Sequence, residues 1–147
     1  MKNPDKLWFD IAYRFSEQSR CKSRKVGCVI VYENRLIGQG WNSAPEGSTT
    51  DDCPRERCRN PLNSVSGTDL SYAICCHAEA SAIGYCARHG ISSRGASVYV
   101  THKPCAECSK LLVAAGIKEV VYDQDYNSPL TDMILNNAKI TLRKFRL

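Results

Sequence analysis

Residues 96–122, ASVYVTHKPCAECSKLLVAAGIKEVVY, read as strand, helix, strand. The β-branched and aromatic residues from Ala96 to Thr101 predict a short strand. Pro104 fits the first turn of a helix running to about Ala115, which Gly116 ends, and Lys118 to Tyr122 begins a further strand. Downstream, a last helix near Thr131 to Asn137 precedes a terminal strand. Upstream, the small and apolar residues Ala73, Ile74, Ala78, Ala80, Ala82 and Ile83 predict a buried helix over Leu70 to His89, stopped by Gly90. Val26 to Tyr32 and Arg35 to Trp41 flank Glu33-Asn34 as two strands of a tight hairpin. Leu7, Phe9, Ile11, Ala12 and Phe15 recur at helical spacing after Pro4, which predicts a first helix over Asp5 to about Glu17. A hairpin followed by alternating helices and strands implies a mixed five-stranded sheet covered on both sides, a three-layer α/β/α arrangement.

With 147 residues, 43% of them hydrophobic, the chain is expected to form one domain, residues 1–147. Ser43 to Thr68 breaks the pattern with scattered Pro, Gly, Ser, Asp and Arg, and reads as an irregular insertion. No apolar run approaches the roughly 20 residues needed to cross a bilayer, and Met1 to Phe9 lacks the apolar stretch of a secretory signal. The expected location is therefore cytoplasmic, with no membrane partner. In that reducing setting the nine cysteines are expected as thiols and thiolates rather than as a disulfide framework. The net charge of +5 gathers partly at Arg20, Lys22, Arg24 and Lys25, where a phosphate can sit, and partly in the tail at Lys139, Arg143, Lys144 and Arg146.

Cys76-His77-Ala78-Glu79 and Pro104-Cys105-Ala106-Glu107-Cys108 together supply one imidazole and two thiolates beside a carboxylate. Three protein ligands, His77, Cys105 and Cys108, leave a tetrahedral Zn2+ one open position, which catalytic zinc requires. Cys105 and Cys108, three apart at a helix start, present adjacent sulfurs whose thiolate form the helix dipole and the exposed N–H groups favour. His77 is expected from a facing helix. Glu79, two residues on, can then sit beside a zinc-acidified water, of pKa about 7, instead of on the metal. It would take the proton of that water and pass it to N3 of a cytosine-type base, with hydroxide adding at C4 and ammonia leaving. A closed structural zinc with Cys76 as fourth ligand is the bland alternative, and it leaves Glu79 without a task.

His-x-Glu with Pro-Cys-x-x-Cys is the general mark of zinc nucleobase deaminases, and at these residues the chain resembles the cytidine and deoxycytidylate deaminase superfamily. Further segments resemble the deoxycytidylate deaminase branch. Ser19 to Val31 is similar to its entry strand, Gly40 to Pro45 to its asparagine loop, Ala96 to Thr101 to the strand before Pro-Cys, and Ala115 to Tyr122 to the segment beyond. The resemblance implies a cytidine deaminase-like fold and deoxycytidine monophosphate (dCMP) as substrate. It further implies that Ser23, Arg24 and Lys25 lie near the phosphate, that Asn42 bonds the nucleotide, and that Ala78 and Tyr126 border it. A turn-forming asparagine and an ordinary packed tyrosine remain the competing readings of Asn42 and Tyr126. Ser43 departs from the glycine usual after the asparagine, and His102 is expected to face solvent.

Some members of the branch carry an additional zinc near the insertion, and Cys21, Cys53, Cys58 and Cys75 are the candidate ligands for a second, structural zinc here, with Cys76 an alternative to Cys75. Cys28 and Cys86 read as core residues. The branch also implies a homo-oligomer, often a hexamer, activated by dCTP, inhibited by dTTP and feeding thymidylate synthesis. A deaminase acting on a base in RNA is disfavoured by the long insertion and by the lack of aromatic platforms interleaved with basic residues, so no nucleic-acid partner is expected. A free-nucleoside deaminase is disfavoured by the basic entry loop. A non-catalytic zinc module contacting nucleic acid is the rival of another class, and it has no use for Glu79.

Overall fold

The computed structural model describes residues 3–48, 53–55, 62 and 73–146. Helix α1 (Pro4–Ser16) starts with Pro4 in its first turn and the Asn3 side chain accepting from the Lys6 N–H at 3.2 Å, the two devices expected of a helix start. Strands β1 (Gly27–Tyr32) and β2 (Arg35–Trp41) pair antiparallel around Glu33 and Asn34, whose φ values of 49° and 61° put both turn residues in the left-handed region favoured by two-residue hairpins. Then follow α2 (Ala78–His89), β3 (Ser97–His102), α3 (Ala106–Ala114), β4 (Glu119–Gln124), α4 (Pro129–Asn137) and β5 (Thr141–Lys144).

The sheet order is β2-β1-β3-β4-β5. β1 runs antiparallel to β2 and β3, whereas β3, β4 and β5 are mutually parallel. Alternation along the strands divides the core. Cys28, Ile30, Val98, Val100, Val120 and Tyr122 face a layer containing Ala78, Ala82 and Cys86 of α2, Leu112 of α3 and Leu135 of α4. Val29, Val31, Tyr99 and Val121 face Trp8, Phe9 and Ala12 of α1. The three-layer α/β/α fold with a mixed five-stranded sheet is the one expected, and Cys28 and Cys86 are core residues. The chain ends are tied across the α1 face, where Asp5 accepts from Arg143 and, at 3.0 Å, from the Tyr99 hydroxyl. The Arg143 guanidinium holds the Asp5 carboxyl below its ordinary range.

Two helix starts differ from expectation. Residues 73–77 are not helical, and α2 begins only at Ala78. Cys76 is bridged to Ser43 in strand fashion, its N–H donating to the Ser43 carbonyl at 2.7 Å and its carbonyl accepting from the Ser43 N–H at 3.1 Å, so its backbone is committed outside the helix. Pro104 likewise precedes α3, with Cys105 as N-cap. Its carbonyl accepts from the buried Thr131 hydroxyl at 2.9 Å and from the Tyr126 hydroxyl at 3.2 Å. Of the stretch 43–68, the described residues are 43–48, 53–55 and 62.

Gly40 lets β2 and the first turn of α2 touch. A Cβ there would lie 2.5 Å from the Ala78 carbonyl oxygen and from the Ala82 nitrogen, both backbone atoms that cannot step aside. Gly84, in the interior of the same helix, has open space around the equivalent position. Gly40→Ala is expected to cost about 1–3 kcal/mol by overpacking and to lower both melting temperature and zinc retention, because the turn it pushes carries His77 and Glu79. Gly84→Ala is expected to stabilise by about 0.5–1 kcal/mol. Thermal melts with zinc analysis of the two variants check the pair, and equal behaviour would disprove the close-approach account.

Candidate active site

The site lies at the carboxyl ends of β3 and β4, where β3 has an antiparallel neighbour on one side and a parallel one on the other, a position at which mixed α/β sheets leave a crevice. Two helix N-termini converge on it. His77 is the N-cap of α2 and uses no side-chain cap bond, so its ring is left for other work. Cys105 is the N-cap of α3, its Sγ accepting from the Cys108 N–H at 3.4 Å. The expected facing helix thus delivers His77 from its N-cap and not from its interior. Cys76, pinned by Ser43, fixes where the imidazole emerges.

His77 Nδ1 lies 3.3 Å from Cys108 Sγ and 3.6 Å from Cys105 Sγ, and the three ligand atoms all lie within 4.8 Å of one another. A tetrahedral zinc with bonds of about 2.0–2.3 Å sets its nitrogen and sulfur ligands about 3.5 Å apart, so the triangle fits the ion. The charges fit it too. The Cys105 thiol is pulled down to about 4, first by a hydrogen bond from the Cys108 side chain and then by His77 and the Cys108 N–H. Cys108 is driven the other way, chiefly by Cys105. Without a cation the pair keeps one proton, and a dication allows both sulfurs to ionise.

Glu79 is 5% exposed in the first turn of α2. Burial, the largest influence, pushes its carboxyl up to about 7. It shares a cleft of about 520 Å³ with His77 and Cys105. The walls include Ser23, Arg24, Asn42, Ala78 and Tyr126, five of the six residues expected beside a nucleotide, whereas Lys25 is exposed and not among them. The Asn42 side chain accepts from the Val26 N–H at 2.8 Å and donates to the Arg24 carbonyl at 2.7 Å, which holds the entry loop in shape.

Cys21 and Cys53 are buried in one small cluster with Ala73 and Ile74, and Cys75 is on the cleft wall. Among the described residues, Cys21, Cys53 and Cys75 do not form a three-ligand group of the kind seen at His77, Cys105 and Cys108. Cys58 lies outside the described residues.

Among the cleft residues that escaped the sequence reading are Arg55, His102 and Lys103. Arg55 is 6% exposed, and its neighbour Cys53 was the only signal pointing to that segment. Lys103 is buried against Asp132 at 2.9 Å, Asp125 at 3.7 Å and the Tyr122 ring, and its place just before Pro104-Cys105 was the available clue. His102, expected in solvent, is half-buried in the cleft wall.

The sequence profile of the cytidine and deoxycytidylate deaminase zinc-binding region matches residues 2–124. Deoxycytidylate deaminase of Mycobacterium phage D29 is 38% identical over 124 residues, 82% of this chain and 94% of that protein. Human deoxycytidylate deaminase is 34% identical over 142 residues, 92% of this chain and 75% of that one. The crystal structure of dCMP deaminase from cyanophage S-TIM5 in complex with dCMP and dUMP superposes with a TM-score of 0.78 at 29% identity, covering 95% of each chain. The chain belongs to the cytidine and deoxycytidylate deaminase family of zinc-binding deaminases.

Proposed function

We propose that the protein hydrolyses dCMP to deoxyuridine monophosphate (dUMP) and ammonia. The observation that carries this is the buried Glu79 sharing one cleft with the His77–Cys105–Cys108 triangle, in a fold whose relatives of similar length include a dCMP deaminase bound to dCMP and dUMP. His77, Cys105 and Cys108 would hold the zinc, which would supply a water acidified to a pKa of about 7. The remaining chemistry belongs to the chain. Glu79 removes a proton from the attacking water and delivers it to ring N3, then takes the proton of the new C4 hydroxyl and gives it to the amine, so that the C4–N bond breaks, ammonia leaves and C4 becomes the carbonyl of the product. Its burial, which pushes the carboxyl up in the metal-free site, favours a group that can return the proton as well as take it. Ala78 and Tyr126 wall the base and sugar, while Ser23 and Arg24 offer a hydroxyl and positive charge to the phosphate.

Glu79→Gln keeps the shape of the site and removes the shuttle. It is expected to retain zinc and substrate affinity while turnover falls by roughly 10²–10⁴-fold, measured as ammonia release alongside metal analysis. Wild-type turnover in that variant would refute the mechanism, whereas a zinc-loaded wild type inactive on every substrate would revive a structural zinc module. For substrate choice, ammonia release from dCMP, cytidine monophosphate, deoxycytidine, dCTP and a short RNA should show dCMP favoured. Activity confined to the nucleoside or to RNA would leave the zinc chemistry and overturn the phosphate loop.

The same family membership supports finer proposals. The enzyme works in the cytoplasm as a homo-oligomer, a hexamer, supplying thymidylate synthesis under activation by dCTP and inhibition by dTTP, a two-state device in which end products bias the equilibrium. Hyperbolic kinetics indifferent to both triphosphates would remove this regulation. A second, structural zinc held by Cys21, Cys53, Cys58 and Cys75 draws support from the burial of Cys21 against Cys53 beside the chain that leads to Cys75. Two zinc ions per chain, one of them lost in Cys53→Ser, is the expected metal analysis. One ion per chain in both proteins would exclude it.

A further inference from the structure

His102 ends β3 at the rim of the cleft, and the family's Pro-Cys motif, which begins two residues on, assigns it nothing. Its ring is held by a short chain of hydrogen bonds. The Gly27 N–H donates to the Thr101 hydroxyl at 3.2 Å, and that oxygen lies 2.7 Å from His102 Nδ1. Thr101 is fully buried, so its own proton needs an acceptor, and among the described residues His102 Nδ1 is the acceptor in reach. The hydroxyl therefore donates to Nδ1, which fixes the tautomer with the proton on Nε2. Burial first, and the Arg24 cation second, pull the imidazole down to about 4, while Asp123 on β4 pushes the other way. At neutral pH the ring is an uncharged donor with a defined direction. Ser23 and Arg24 line the same cleft.

We propose that His102 is a substrate-binding residue that donates its Nε2–H to an oxygen of the substrate's 5′-phosphate, beside Arg24. A cation, a hydroxyl and a fixed N–H donor are what a phosphate monoester recognises, whereas a sugar hydroxyl at this place would call for an acceptor. A neutral donor adds a bond without adding charge, so the anion gains direction as well as attraction. The assignment rests on the monophosphate reading of the substrate, and the test separates the two.

Ammonia release is measured for wild type, His102→Ala and His102→Gln on dCMP and on deoxycytidine, which lacks the phosphate. The expected result is a rise in KM and a roughly ten- to hundredfold fall in kcat/KM for dCMP in His102→Ala, the range for a hydrogen bond to a charged group. Deoxycytidine kinetics should shift far less, and Gln, whose amide N–H reaches a similar point, should restore part of the dCMP loss. Equal losses on both substrates, or no loss on dCMP, would overturn the assignment. In parallel, inorganic phosphate is titrated into ¹⁵N-labelled, zinc-loaded wild type, where the His102 ring nitrogens should report the Nε2–H tautomer and shift saturably. A wild type inactive on dCMP whose His102 still responds to phosphate would defeat the substrate reading and leave the anion contact standing. A silent His102 in an enzyme active on dCMP would do the reverse.

Discussion

Two sulfurs, an imidazole and a carboxylate crowd one buried pocket, and this concentration of negative charge is the constraint around which the molecule is built. The pull of Cys105 toward thiolate and of Cys108 toward thiol expresses one fact, that the metal-free pocket supports one sulfur anion and not two. Glu79 feels the same pressure and is held up to about 7 by burial. Two helix N-termini offset part of the charge, since α2 and α3 both direct their positive ends at the site. A dication completes the balance. What makes the pocket costly when empty thus favours a bound dication, and the nitrogen and sulfur donors suit zinc.

Holding that geometry falls to contacts far apart in sequence. Gly40 lets β2 approach α2, Ser43 pins Cys76, and together they set the emergence of His77. On the other side the N-terminal end of α4 clasps the residues preceding Cys105. Thr131 bonds the Pro104 carbonyl, Asp132 pairs with Lys103, and the Ser128 hydroxyl caps the helix through the Thr131 N–H at 3.4 Å. Lys103 is buried yet remains a cation, because two carboxylates and the Tyr122 ring surround it. Its charge is spent on the clasp, and Arg24 and Arg55 also line the cleft.

The layered fold and the zinc ligands were legible because their signals are local: β-branched runs, a helix opened by Cys-x-x-Cys, a His-x-Glu pair. The start of α2 was not. The alanine-rich run from 73 reads as helix by composition, and what stops it is the pairing of Cys76 with Ser43, a contact across the insertion that no window of sequence contains. His102 failed for a related reason. As the last residue of a strand it looks destined for solvent, and the entry loop that brings Arg24 over it comes from the far end of the chain order. Asn42 was legible as a loop residue, but its two bonds to the 24–26 backbone show an organiser of the entry loop.

That last point bears on how the cleft distinguishes its ends. The zinc end is built on helix caps and strand ends, and its polar groups are engaged with one another. The entry end is a loop given shape by a single asparagine and faced by a histidine whose tautomer a buried threonine dictates. In the proposed phosphate contact the second arrangement counts for more than the number of charges, because exposed cations such as Lys25 are screened by salt while a donor with a fixed direction adds a directional bond. The candidate zinc ligands and the entry loop therefore belong to separate parts of the fold, joined at the carboxyl end of β3.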